Sequence, residues 1–114
     1  MSYFVAPFEV SSKSLGAPVI VHFVHLYSAI ATRHSDTIDA VFLVDGAKAT
    51  VAISCATLAQ LREREGINLT DQQLADIAAL YLRGTLEQGF EATDAELFLH
   101  GEKLRASARE LGYL

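Results

Sequence analysis

The sequence has very little cysteine: Cys55 is the only one among 114 residues, so the chain cannot form an internal disulfide. A chain of this length buries enough surface to build one core without disulfides, and a lone cysteine suits a reducing compartment. Residues 1–10 lack the basic segment and the cleavage site of a signal peptide. We therefore expect one cytoplasmic domain over residues 1–114.

Long hydrophobic runs and an excess of positive charge are lacking as well. The longest apolar run, residues 15–31, is shorter than the roughly 20 residues that cross a bilayer, and it contains Pro18, His22 and His25. The 14 acidic and 9 basic residues give a net charge of −5. Because nucleic-acid-binding proteins usually carry a basic patch, we expect neither a membrane nor a nucleic acid as partner.

Motifs that would assign a chemistry are absent. The sequence contains no glycine-rich phosphate loop, no GxSxG, no HExxH and no paired cysteines, so it indicates no cofactor. What it has in excess is hydrophobic residues, which make up 51% of the chain. That fraction is high for a small domain, whose surface is large relative to its volume. The surplus predicts a subunit interface or a ligand cavity.

The first half of the chain is patterned like β-strands. Residues 3–10 alternate and contain Pro7, which is typical of an edge strand. Residues 18–27 are rich in β-branched and aromatic side chains and are apolar on both faces, which indicates a central strand. A buried helix over 18–32 is the alternative, because periodicity does not separate the two in such a run. In a regular strand, one face carries Val19, Val21, Phe23, His25 and Tyr27, and the other carries Ile20, His22, Val24 and Leu26.

Residues 38–54 predict a β-hairpin around the two-residue turn Asp45-Gly46. In this register, four apolar pairs share one face of the hairpin. These pairs are Val44 with Ala47, Phe42 with Ala49, Ala40 with Val51, and Ile38 with Ile53. A slip of one residue would move the whole set to the other face, so the sequence specifies the register well.

Three helices are predicted after the hairpin. The first spans residues 55–65, between Ser54 as N-cap and Gly66 as C-terminal stop. The second begins with a capping box formed by Thr70 and Gln73.

A second capping box, Thr93 with Glu96, predicts the start of the third helix. Gly101 would then lie inside this helix, where glycine costs about 1 kcal/mol relative to alanine, and close packing would explain its presence. The predicted fold class is α+β, with an antiparallel sheet of about four strands (residues 3–54) followed by three helices (residues 55–111) packed on one face.

Two groups of polar residues are candidates for metal or acid–base chemistry. His22 and His25 would share a face of a helix and could bind zinc together; on a regular strand they point to opposite faces, which argues against a joint site. His34 and Asp36, with Asp39 nearby, could hold a metal or transfer protons. The same residues also suit an ordinary polar loop, and we favour that interpretation.

Cys55 is the third candidate, because it lies at the predicted N-terminus of a helix, where the helix dipole lowers the pKa of a thiol. A nearby base, His22, His25 or His100, would complete a nucleophilic arrangement. We favour the alternative that Cys55 is a small, buried hydrophobic side chain with a structural role.

The sheet face that the helices leave open carries the predicted interaction surface. Its apolar residues are Ile20, Val24, Leu26, Val41 and Leu43. Because large exposed apolar patches are uncommon on monomers, we expect a non-catalytic domain that forms a homodimer or binds a protein partner through this face. The alternative is a small-ligand-binding protein or small enzyme with a pocket near His22, His25 or Cys55.

Overall fold

The computed structural model describes residues 4–11, 17–29, 36–90 and 95–114. The strands are β1 (Phe8–Val10), β2 (Val19–Ala29), β3 (Thr37–Val44), β4 (Ala47–Ser54) and β5 (Ala95–Leu99), and the helices are α1 (Cys55–Glu65), α2 (Asp71–Glu87) and α3 (Gly101–Glu110). One sheet contains all five strands in the order β1-β2-β3-β4-β5. The first four pair antiparallel, whereas β5 pairs parallel to β4. The α+β class is confirmed, but the sheet is mixed and has five strands.

The hairpin between β3 and β4 forms as predicted. All four apolar pairs of the predicted register are present. Asp45 and Gly46 have φ angles of 48° and 86°, the positive values that a tight two-residue hairpin turn requires. The turn is also tied to β2, because the Ile20 amide donates to Asp45 Oδ1 at 2.9 Å and the Asp45 amide donates to the Ile20 carbonyl at 2.9 Å.

A β-bulge at Val24 divides β2 into two parts. Phe23 pairs with Phe42, and His25 pairs with the next residue of β3, Val41, so Val24 is the extra residue. An inserted residue reverses the alternation of faces in the strand that follows it.

The face assignment predicted for β2 is therefore wrong beyond Phe23. His25 and Tyr27 lie on the same face as His22, because they pair with alternate residues of β3 on that face. Leu26 moves the other way and packs, half-buried, against the core beneath the helices.

The core lies between one face of the sheet and residues from all three helices. Its largest fully buried side chains are Phe42, Ile53, Leu61, Ile77, Leu82, Leu86, Leu99 and Leu104. Phe23 packs edge-on against Phe42, with ring centroids 5.4 Å apart. Val41 and Ala52 are buried as well but do not belong to this cluster, because their side chains point to the other face of the sheet. None of the helices in the described parts of the chain is long and apolar enough to cross a membrane.

The first helix has both of its predicted ends, and the second has its predicted start. Ser54 caps α1, with its hydroxyl accepting from the Thr57 amide at 3.2 Å, and Gly66 closes that helix. Thr70 and Gln73 make both hydrogen bonds of the capping box at the start of α2. Local sequence was sufficient for these boundaries because each cap satisfies backbone groups that a helix terminus leaves unpaired.

The predicted start of the third helix is wrong. Thr93 lies outside the described residues, and Glu96 belongs to β5, so α3 begins only at Gly101. Gly101 has φ +58°, and a Cβ added there would meet nothing within 4 Å. The glycine therefore serves the sharp turn from strand to helix rather than close packing. Its amide donates to Thr57 Oγ1 at 3.1 Å, which ties the start of α3 to α1.

Candidate functional site

The side of the sheet opposite the core is the candidate functional site, and we call it the open face. By strand pairing and alternation, it carries Glu9, Ile20, His22, Val24, His25, Tyr27, Thr37, Asp39, Val41, Leu43, Lys48, Thr50, Ala52, Glu96 and Phe98. Ile20, Val24, Tyr27 and Leu43 are 43%, 46%, 42% and 37% exposed, and they are four of the six large hydrophobic side chains exposed in the described parts of the chain. Exposed apolar surface is thus concentrated on β2 and β3.

The predicted interaction surface is partly rearranged by the bulge. Ile20, Val24 and Leu43 are exposed on the open face, as the sequence analysis placed them. Val41 lies on this face but is only 6% exposed. Leu26 does not belong to the surface, since it packs against the core. The exposed aliphatic patch therefore consists of three residues near the hairpin turn.

A hydrogen-bonded polar group occupies the other end of the open face. Thr37 Oγ1 donates to Asp39 Oδ1 at 2.7 Å, and the Tyr27 hydroxyl also donates to the Asp39 carboxylate. Burial raises the pKa of Tyr27, and the negative charges of Asp39 and Glu96 raise it further. Asp39 itself is only 6% exposed. Among the described residues, no buried side-chain N or O atom lacks a hydrogen-bond partner.

The two histidines of β2 lie on the same face, contrary to the prediction for a regular strand. Both imidazoles are exposed, and the ring of His25 lies against that of Tyr27, with centroids 5.4 Å apart. No group of three or more His, Cys, Asp or Glu side chains suited to a metal is found in the described parts of the chain. Among the described residues, His22 and His25 thus form a pair without a third metal ligand grouped with them.

The residues of the predicted polar loop, His34, Asp36 and Asp39, are only partly described by the structure. His34 lies outside the described residues. Asp36 is exposed just before β3, and its carbonyl accepts from the Cys55 amide at 3.1 Å. Asp39 is part of β3 and points to the open face.

Cys55 is the first residue of α1 and is half-buried. Burial raises the pKa of its thiol, and the carboxylates of Asp36 and Asp39 raise it further. A nucleophilic cysteine requires the opposite shift, since the thiolate is the reactive form. The electrostatic environment therefore favours a structural role.

We expect a thiol reagent to react slowly with Cys55 in the native protein at pH 7. Burial and the nearby carboxylates raise the pKa of this thiol, so little of it is the reactive thiolate at neutral pH, and the labelling rate should keep rising as the pH is raised. The same chain unfolded in urea is the control and should react faster at every pH. Rapid labelling of native protein at pH 6 would contradict this expectation.

Two grooves lie on the helical side of the molecule. The larger, of about 570 Å³, lies between α2 and α3 and is lined in part by Leu80, Tyr81 and Lys103. The smaller, of about 250 Å³, lies between α2 and β1, where the Arg83 guanidinium sits 5.7 Å from the centre of the Phe8 ring. Neither is lined by His22, His25 or Cys55, the residues around which the sequence analysis placed a pocket.

Sequence analysis missed two aromatic features of the open face. Tyr27 was placed on the core side, and Phe98 was assigned to a helix, although it stacks on His100 with ring centroids 4.5 Å apart. The alternation of Glu96, Leu97, Phe98 and Leu99 was the available signal for a strand.

Neither a protein-family model, nor a curated protein, nor a solved structure matches this chain.

Proposed function

We propose that this domain is a non-catalytic module that forms a two-fold homodimer through its open face. The observation that carries the proposal is the concentration of exposed apolar side chains, Ile20, Val24 and Leu43 with Tyr27 beside them, on a sheet face opposite the helix-covered core. Apolar side chains gathered on one surface of a small protein mark interaction sites. Two-fold symmetric dimers are the commonest soluble assemblies.

The size of the open face suits a modest interface. A sheet of five strands about 4.8 Å apart, with strands about eight residues long, presents at most roughly 600 Å² in projection. A standard interface buries roughly 600–1,000 Å² on each partner. Contact between two open faces would therefore use nearly the whole sheet, and we expect a reversible dimer rather than a permanent one.

Charges at the margins favour a second copy of the same chain as the partner. Glu9 on β1 and Lys48 on β4 are exposed and flank the apolar patch on its two sides. If the two-fold axis runs parallel to the strands, between β2 and β3, each Glu9 lies over the other copy's β4, which carries Lys48. Stacked sheets with nearly aligned strands are a common packing. The open face is thus self-complementary in hydrophobicity, and Glu9 and Lys48 add one pair of opposite charges at its margins.

Sedimentation equilibrium at tens of micromolar tests the proposal. We expect a mass of twice 12.4 kDa for the natural sequence. The double variant Val24→Lys with Leu43→Lys should have a mass of 12.4 kDa, because dimerisation would bury two ammonium groups on each chain without partners. Leu111→Lys is the matched control, since Leu111 and Leu43 are both 37% exposed but Leu111 follows α3. Circular dichroism confirms that each variant is folded.

A concentration-independent mass of 12.4 kDa for the natural sequence would contradict the proposal. A dimer that survives the double substitution, while Leu111→Lys dissociates it, would place the interface on the helical side.

A small-ligand-binding function is the second candidate, and one observation favours it. The groove between α2 and α3, at about 570 Å³, falls within the volume range of ligand sites. It is lined by Lys103 and Arg83 as well as by Glu87 and Glu110, so its charge does not select an anion or a cation. A ligand-binding protein of this kind would remain a monomer in the sedimentation experiment.

A further inference from the structure

We infer that His22 and His25 form one half of a zinc site that a second copy of the chain completes, so that four imidazoles hold one ion in the dimer. The inference rests on the proposed dimer through the open face. It assigns these two residues a role that the apolar patch does not give them.

The bulge at Val24 creates the pair. His22 pairs with Leu43 and His25 pairs with Val41, so the histidines occupy successive positions on the open face although three residues separate them along the chain. Such positions lie about 6.6 Å apart along a strand. Imidazoles at that spacing can converge on one ion, since Zn–N bonds are about 2.0–2.1 Å long.

Zinc bound only by the described residues of one chain would be incompletely coordinated. Structural zinc sites have four protein ligands in tetrahedral arrangement, and the described parts of the chain contain no third candidate ligand grouped with this pair. A two-fold axis parallel to the strands, between β2 and β3, places the β2 strand of each copy over β3 of the other. The two pairs of histidines then face each other across the axis.

The surroundings suit neutral imidazole ligands and a cation. The cross-strand neighbours of the pair, Leu43 and Val41, are aliphatic and would exclude water once covered. The Tyr27 ring supports His25 from one side and is itself held by the hydrogen bond to Asp39. The charged residues that strand pairing places on the same face are Glu9, Lys48, Asp39 and Glu96. The chain carries a net charge of −5, so a divalent cation also reduces repulsion between the two copies.

Sedimentation equilibrium with zinc chloride or EDTA measures the coupling between metal and dimer. At a free zinc concentration ten times the dissociation constant of the site, we expect the dimer dissociation constant to fall about tenfold relative to EDTA. His22→Gln with His25→Gln should abolish this difference. His100→Gln removes an exposed imidazole that stacks on Phe98, at the β5 edge of the sheet and away from β2, and should preserve the difference. Titration with Co²⁺ should show tetrahedral absorption that saturates at one ion per two chains.

Three results would overturn the inference. They are a dimer equally strong in zinc and in EDTA, a double glutamine variant with the zinc response intact, and saturation at one Co²⁺ per chain. The dimer could instead dissociate in the double variant Val24→Lys with Leu43→Lys but be unaffected by EDTA. That result would support the proposed function and contradict only the zinc site. A natural chain that stays monomeric in both zinc and EDTA removes both.

Discussion

Phe42→Ala should lower the free energy of unfolding by roughly 3–5 kcal/mol, the usual cost of truncating a buried phenylalanine to alanine. Phe42 is completely buried and packs edge-on against Phe23 across the β2–β3 ladder. It also pairs with Ala49 on the other side, so the cavity would open at the centre of the sheet. Urea denaturation followed by circular dichroism measures the effect, which is a large share of a typical domain's stability.

Leu43→Ala is the matched control for that experiment. Leu43 is the next residue of the same strand but is 37% exposed on the open face, so its truncation should cost roughly 1 kcal/mol or less. The measurement belongs at protein concentrations low enough to keep the chain monomeric, because a dimer interface would add to the cost. Equal effects of the two substitutions would show that the core and the open face have been assigned incorrectly.

Deleting Val24 should leave the domain folded, whereas deleting Ala40 should abolish cooperative unfolding. Val24 is the extra residue of the bulge, so without it the pairs Phe23–Phe42 and His25–Val41 become consecutive and every other side chain of β2 keeps its face. Ala40 lies on β3 and pairs with Val51 on β4. Deleting Ala40 therefore moves one part of β3 to the opposite face. Ile38 would leave the core side, and Asp39 would be forced towards it.

The two deletions are compared by urea denaturation and by the dispersion of amide signals in a proton–nitrogen NMR spectrum. The deletion of Val24 should show a dispersed spectrum and a single cooperative transition. A collapsed spectrum for this variant would contradict the assigned register of β2. The zinc response should also survive the deletion, because His22 and His25 would then be alternate residues of a regular strand.

Residues 38–65 show how much of the fold the sequence alone determined. The Asp45-Gly46 turn and the paired apolar residues specified the hairpin register, and Ser54 and Gly66 marked both ends of α1. These features are local: each depends on residues close together in the chain, whose backbone conformations and hydrogen bonds the side chains themselves select.

Only the tertiary structure decided the fifth strand and the composition of the open face. Residues 95–99 form a strand because the outer edge of β4 offers a parallel partner that is distant in sequence, whereas Thr93, Glu96 and the later leucines suggested a helix. The bulge at Val24 has no local signature either, since alternation predicts the regular strand equally well. A bulge forms where two strands must meet on both sides of one extra residue, so its position depends on the pairing of β2 with β3. That pairing moved Leu26 into the core and brought His25 beside His22, and it thereby decided which residues the open face presents.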